Sequence, residues 1–223
     1  MLAELPPSQP QYRKLREART RYAEQAVHNA EAGGAGDSAS YQLRQIELNM
    51  ERWRWVPRSF GDRYLLVNIP EYELNVIERG KSVLEMRVVV GKTMTATPVF
   101  SDVMTQVVVN PNWNVPESIV QGEFSVAVQE DRDYLAKNKI RIFEGHAEEA
   151  KEIDAGSVNW RDSAEVAKLR FRQDSGEGNA LGRIKFLLPN QFNVYLHDTP
   201  SGHLFSREER SFSHGCVRVE NPI

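Results

Sequence analysis

RYLLVNIPEYELNVIERGKSVLEMRVVV, residues 63–90, is where the period of the chain changes from helical to strand-like. The runs 64–69, 74–78 and 83–90 are short and rich in Val, Ile, Leu and Tyr. Such side chains fit a pleated, half-buried surface, so each run predicts a strand. RGKS at 79–82 supplies the turn between the last two, and the three together predict an antiparallel meander.

Upstream of this stretch the pattern is helical. After the Pro-rich entry LPPSQP, the segment QYRKLREARTRYAEQAVHNAEA places Tyr12, Leu15, Tyr22 and Ala26 at helical intervals among many charges, which predicts a largely exposed helix. GGAGDSAS at 33–40 reads as a flexible linker. In YQLRQIELNMERWRW, Leu43, Ile46, Met50 and Trp53 recur every three or four positions and predict a second helix with one buried stripe, ended by Pro57.

Downstream, further strands are expected at 105–109, 140–143, 184–187, 192–196 and 217–219, and helices at 117–137 and 162–170. The fold class is therefore mainly β with a helical insertion (α+β): two helices over 1–59, and a β domain over 60–223 with the insertion before the final strands.

Composition narrows the function classes. A chain of 223 residues with 40% hydrophobic and 26% charged residues can bury a sizeable core, and a net charge of −3 gives no electrostatic reason to bind nucleic acid. No apolar run approaches the roughly 18 residues of a membrane span. The single cysteine, Cys216, has no partner for an internal disulfide.

That cysteine lies in SFSHGCVRVENP, residues 211–222. A thiol attacks as the thiolate and needs a base or a positive charge nearby. His197, at the end of the β-rich run in VYLHDTPSGHLF, is a candidate base on a rigid mount, leaving the sheet on the Tyr195 side. Gly215 permits a sharp turn that could aim the amides of Gly215 and Cys216 at a developing oxyanion. Two other readings stand beside the nucleophile: Cys216 as an inert buried hydrophobe, and His197, His203, His214 and Cys216 as zinc ligands, although their spacing lacks the tight pairs of structural zinc sites.

SHGCVR preceded by LHDTP resembles the signature of L,D-transpeptidases of the YkuD type. NMERWRWVP, MRVVVGKTMTATPVFSD and VVVNPNWNVPESI resemble the large periplasmic branch typified by YcbB, in which scaffold, peptidoglycan-binding and catalytic domains share one chain. The resemblance implies that the helices over 1–59 are scaffold helices and that 60–223 is a YkuD-like β-sandwich catalytic domain whose insertion, 117–182, caps the site. It also implies that GGAGDSAS replaces the wall-binding domain, and that the catalytic domain, stopping at Ile223 where relatives continue with a further helix, is cut short.

The same resemblance implies Cys216 as nucleophile, His197 as general base, and His214 and Gly215 in the oxyanion-forming turn. Arg218 would fix the loop and substrate carboxylates, or make only a structural hydrogen bond. Asp198 stands where smaller relatives have Gly or Ser and is assigned to substrate binding. Trp113 and Asn114 would shape the cleft, with plain packing as the alternative. The implied activity is formation of 3-3 peptidoglycan cross-links between a donor tetrapeptide and an acceptor stem, with no cofactor or metal, carbapenem β-lactams as inhibitors, and a periplasmic location reached through a targeting segment not present in the chain. The alternatives are an L,D-carboxypeptidase or hydrolase on the same stems, and a non-catalytic wall-binding module.

Overall fold

The computed structural model describes residues 6–7, 9–31, 38–145, 147 and 149–223, with the side chains of residues 30 and 31 excepted. It divides into two compact units, Met1–Tyr64 and Leu65–Ile223. Among the described residues no helix is long and apolar enough to cross a membrane.

The first unit is a helical pair, α1 (Pro10–Glu31) and α2 (Ser38–Trp55). Tyr12 is buried, and Leu15, Tyr22 and Ala26 are half-buried along the same face of α1, while Leu43, Ile46, Met50 and Trp53 form the matching stripe of α2. Arg19 Nε donates to Glu47 Oε1 at 2.9 Å between the two helices. Gln9 Nε2 donates to the carbonyls of Pro57 and Arg58 at 3.1 and 3.2 Å, which ties the start of α1 to the segment after α2. Of the expected linker, residues 33–37 lie outside the described residues and 38–40 already belong to the first turn of α2.

In the second unit the expected meander forms as β1 (Arg63–Asn68, which begins just before the division), β2 (Glu73–Glu78) and β3 (Lys81–Gly91). Arg79 and Gly80 both take positive φ, 47° and 77°, between the paired residues Glu78 and Lys81. Positive φ at both central residues is the hairpin geometry that matches the twist of the flanking strands. β4 (Gln106–Val109), β5 (Trp113–Asn114), β6 (Ile140–Glu144), β7 (Glu152–Ile153), β8 (Leu169–Gln173), β9 (Ile184–Leu187), β10 (Leu196–His197), β11 (Ser211–Ser213) and β12 (Val217–Val219) complete the strands among the described residues.

They form an eight-stranded sheet of order β1-β2-β3-β12-β10-β9-β4, with β11 beside β3, and a four-stranded sheet of order β5-β8-β6-β7. One face of the larger sheet buries Leu74, Val88, Val90, Leu196, Val217 and Val219 in a common core. Val88 is fully buried, and such a side chain stabilises by about 1.5–3 kcal/mol relative to exposure.

The insertion is mixed rather than purely helical. Short helical segments occupy Glu117–Ile119, Ser125–Glu130, Tyr134–Lys137 and Ser163–Val166, with a wider π turn at Val120–Phe124. The helix expected over 162–170 ends early because LRFRQ has period two: Phe171 and Gln173 are buried while Arg170 and Arg172 lie on the opposite face over Phe143, 4.5 and 4.9 Å from its ring centroid. Phe124, Leu135, Ile142 and Phe171 belong to a separate core for this subdomain. The strand expected over 192–196 also shrinks. Asn190 explains this: its side chain accepts from the amides of Phe192 and Val194 and donates to the carbonyls of Leu188 and Val194, and Asn193 turns with φ 55°. Side-chain bonds of this kind compete with a sheet ladder.

Candidate active site

β10 pairs in parallel with β12, matching Leu196 to Val217 and His197 to Arg218, and antiparallel with β9, matching His197 to Lys185. Side chains alternate along strands. Leu196 and Val217 face the core, so Lys185, His197 and Arg218 share the opposite face, and two residues back along each chain Tyr195 and Cys216 join them. Backbone bonds brace both sides of this mount: Val217 N–H donates to Tyr195 O at 3.1 Å, and Asp198 N–H to Ile184 O at 2.9 Å.

Cys216 follows a turn that its neighbours hold from three directions. Gly215 has φ +117°, a conformation that L side chains rarely adopt. Buried Ser213 closes the turn: its Oγ donates to Cys216 O at 2.5 Å and accepts from Gly215 N–H at 3.1 Å. Thr97 Oγ1 donates to Gly215 O at 2.8 Å and accepts from Gly91 N–H at 2.9 Å. Thr95 Oγ1 and Lys92 N–H both donate to Ser213 O, at 3.2 and 2.9 Å. The Gly215 amide expected to face an oxyanion is therefore engaged by Ser213.

The thiol is half-buried, and its hydrogen bond runs to Asn193 O at 3.8 Å. Burial pushes its pKa above the ordinary value, against the opposing pull of the Tyr195 amide and phenol and of the charges on Arg218 and Lys185. The desolvation of the thiolate thus outweighs the cations around it. The same burial lowers Lys185 and Arg218, and among the described residues Arg218 Nε is a buried donor without a partner.

His197 is 5% exposed, and burial is the main cause that lowers its pKa to about 4. It is neutral near pH 7. Its Nδ1 lies 2.5 Å from Asp198 O. A carbonyl oxygen only accepts, so Nδ1 carries the proton and Nε2 is the bare, basic nitrogen. A neutral imidazole and a neutral thiol thus share this sheet face, so attack by sulfur has to be accompanied by loss of its proton.

The other candidates fall into place around this face. His214 Nε2 lies 2.9 Å from Glu123 Oε1, so the π turn of the insertion reaches the turn that carries the thiol. Trp113 packs against Phe124, with ring centroids 6.4 Å apart and nearly perpendicular, and its indole N–H acts on the Tyr195 phenol. Burial and then the thiolate's charge push that phenol up, while the indole pulls it down. Trp113 thus combines packing with contact to the site. Asn114 is in register with Arg172 in the smaller sheet, on its other face. Asp198 is 7% exposed, and its carboxylate is filled by donors of this chain: Arg183 N–H and Nε–H at 2.9 and 3.0 Å, and Thr199 N–H at 2.8 Å.

Among the described residues, no three His, Cys, Asp or Glu side chains gather as a metal site, so the zinc reading of His197, His203, His214 and Cys216 has no geometry behind it. The sequence assigns no role to Tyr195, Glu123, Thr97 or Ser213, although Ser213 opens the SHGCVR signature. The alternation that put Tyr195 on the side of His197 was the available signal for Tyr195; the other three depend on contacts distant in the chain or on turn geometry.

The matching family model and a curated relative agree on one family. The family model described as the L,D-transpeptidase catalytic domain, YkuD, matches residues 62–223. A Haemophilus influenzae (strain Rd) protein, provisionally named an L,D-transpeptidase, is 34% identical over 177 residues, which cover 79% of this chain and 35% of that protein. The chain thus spans about a third of the length of this curated relative. Among solved structures, the Ldtfm–avibactam carbamoyl enzyme aligns with a TM-score of 0.36 at 15% identity, covering 71% of this chain and 41% of that one. An L,D-transpeptidase from Mycobacterium smegmatis aligns with a TM-score of 0.33 at 14% identity, covering 71% and 49%.

Proposed function

Since the chain belongs to the YkuD family of L,D-transpeptidase catalytic domains, we propose that it forms 3-3 cross-links in peptidoglycan through an acyl-enzyme on Cys216. The observation that carries this reading is the shared sheet face on which His197, neutral and with Nε2 bare, accompanies the half-buried thiol.

In the first step His197 Nε2 takes the thiol proton as sulfur attacks the carbonyl at the L-centre of the third residue of a donor tetrapeptide. A C–S bond forms, the C–N bond to the terminal D-alanine breaks, and the proton passes to the departing amine. In the second step the side-chain amine of a neighbouring stem attacks the thioester, a new amide forms, and the thiol is restored with the proton lost by that amine. Arg218, with a buried unpartnered Nε, and Lys185 supply positive charge beside the sulfur and suit a substrate carboxylate. The Tyr195 phenol faces the same atoms and is a candidate donor to the oxyanion in place of the engaged Gly215 amide.

The YcbB-like branch, the capping role of the insertion and a location outside the cytoplasmic membrane, where such stems occur, belong to the same proposal. The contact of Glu123 with His214 supports the cap. Product analysis tests the reaction. Incubation with a tetrapeptide donor and an acceptor stem should give the 3-3 dimer with the parent chain and none with Cys216→Ala, and a carbapenem should add its mass to Cys216 alone. Turnover retained in Cys216→Ala would end the proposal, whereas release of D-alanine with only free tripeptide would assign the acyl-enzyme to hydrolysis.

A further inference from the structure

Asp198 stands next to the proposed base, yet none of its carboxylate bonds reaches toward the thiol. Oδ2 accepts from Arg183 N–H and Nε–H, at 2.9 and 3.0 Å, and so grips the chain where it returns from the insertion. Gly182 sits so close that a Cβ there would lie 2.5 Å from Asp198 Cγ. Oδ1 accepts from Thr199 N–H at 2.8 Å, while the backbone oxygen of Asp198 accepts from His197 Nδ1 at 2.5 Å. That carbonyl and the Thr199 N–H are the two ends of one peptide unit, which is planar. Holding one end therefore fixes the direction of the other.

From this geometry we propose that Asp198 is a positioning residue for His197: its carboxylate clamps the 198–199 peptide between the imidazole and the Gly182–Arg183 return of the insertion, and so sets the ring's tautomer and aim. The role rests on the reading of His197 as the base. The bond between carboxylate and Thr199 N–H keeps the carbonyl on Nδ1, which leaves Nε2 to the thiol. The bonds to Arg183 make that arrangement depend on where the insertion re-enters the sheet. Asp198 thereby links the insertion's exit to the protonation geometry of the site, without itself touching substrate.

The test uses the full chain labelled with ¹⁵N-histidine. Long-range ¹H–¹⁵N correlation distinguishes a bare Nε2 from a bare Nδ1, and the rate of Cys216 alkylation by iodoacetamide against pH reports the base. The parent should show a single Nδ1–H tautomer at pH 7. Asp198→Ala should show mixed tautomers and an alkylation rate at pH 7 lower by about tenfold or more, since an ångström of misplacement can cost on the order of 10²-fold. Asp198→Asn, whose one oxygen can serve Thr199 or Arg183 but not both, should fall between. Gly182→Ala keeps every bonding group but drives the carboxylate aside, and should reproduce the Asp198→Ala signature. A parental tautomer and rate in Asp198→Ala, or in Gly182→Ala if the first variant does not fold, would overturn the proposal. A His197→Ala profile identical to the parent would instead remove His197 as the base. The tautomer measurement would then still decide whether Asp198 positions the ring.

Discussion

Replacing Ser213 with alanine removes a single oxygen that holds both ends of the thiol's turn. Oγ is the acceptor for Gly215 N–H at 3.1 Å and the donor to Cys216 O at 2.5 Å, in a residue 2% exposed. Each bond contributes about 0.5–1.5 kcal/mol net, and a buried group left unpaired costs about 1–3 kcal/mol. Gly215 is buried, so its amide should bear most of that penalty, whereas the carbonyl of half-buried Cys216 can find water. The sum is about 2–3 kcal/mol, a shift of roughly 30- to 150-fold in the folded-to-unfolded ratio. Urea denaturation of parent and variant measures it, provided the slope of the transition is unchanged. The cysteine alkylation rate measured in the same samples reports whether the loosened turn also moves the thiol. A destabilisation below about 0.5 kcal/mol, the range of ordinary surface changes, would refute the idea that Ser213 organises this turn.

Other outcomes follow from the same structure. Thr97→Val keeps the shape but leaves Gly91 N–H and Gly215 O unpaired, so it should destabilise by about 1–3 kcal/mol, and in a double-mutant cycle with Ser213→Ala the two effects should not add, because the two side chains hold the backbone on either side of the Gly215 Cα. His197 has a folded pKa of about 4, below its ordinary 6.5, so the unfolded chain binds its proton first. Its contribution is full above pH 6.5 and is lost as pH falls toward 4, amounting to about 3 kcal/mol; denaturation of His197→Gln across that window should show a shallower decline than the parent. Asp198, lowered because its bonds from Arg183 and Thr199 outweigh burial, contributes above its ordinary value near 3.8 and loses that contribution at lower pH, so Asp198→Asn should flatten the more acidic end of the same curve. Amides 175–178, exposed and with positive φ at Gly176 and Gly178, should exchange faster with deuterated solvent than amides 88–90; equal protection would count against a mobile return from the insertion.

The meander was legible because 63–90 carries its own local signals, apolar runs of strand length and a turn with glycine where φ is positive. The thiol and its histidine were legible as a pattern of residue types at a spacing. What surrounds them was not. Thr97 meets Gly215 only after the chain closes over more than a hundred positions, and no local period announces such a contact. Strand 169–173 was hidden by the helix-forming residues just before it, and the loop at 190–194 by the β propensity of its own side chains, which Asn190 overrides with four hydrogen bonds. The thiol's raised pKa belongs to the same class, since burial is a property of the assembled fold and not of the tripeptide HGC.

The place of β12 in the sheet has a consequence for the order of events when the protein is made. Val217–Val219 pairs with β3 on one side and β10 on the other, so it joins the β1-β2-β3 meander to the β10-β9-β4 half. Until those residues leave the ribosome, each half has an open edge and half of a shared hydrophobic face. The larger sheet therefore cannot close until residues 217–219 have been synthesised. The union then closes loops of more than a hundred residues, which makes it slow and exposes sticky edges in the interval. Because the same strand directly follows the cysteine, Cys216 and His197 come to share one sheet face only once that strand is in place.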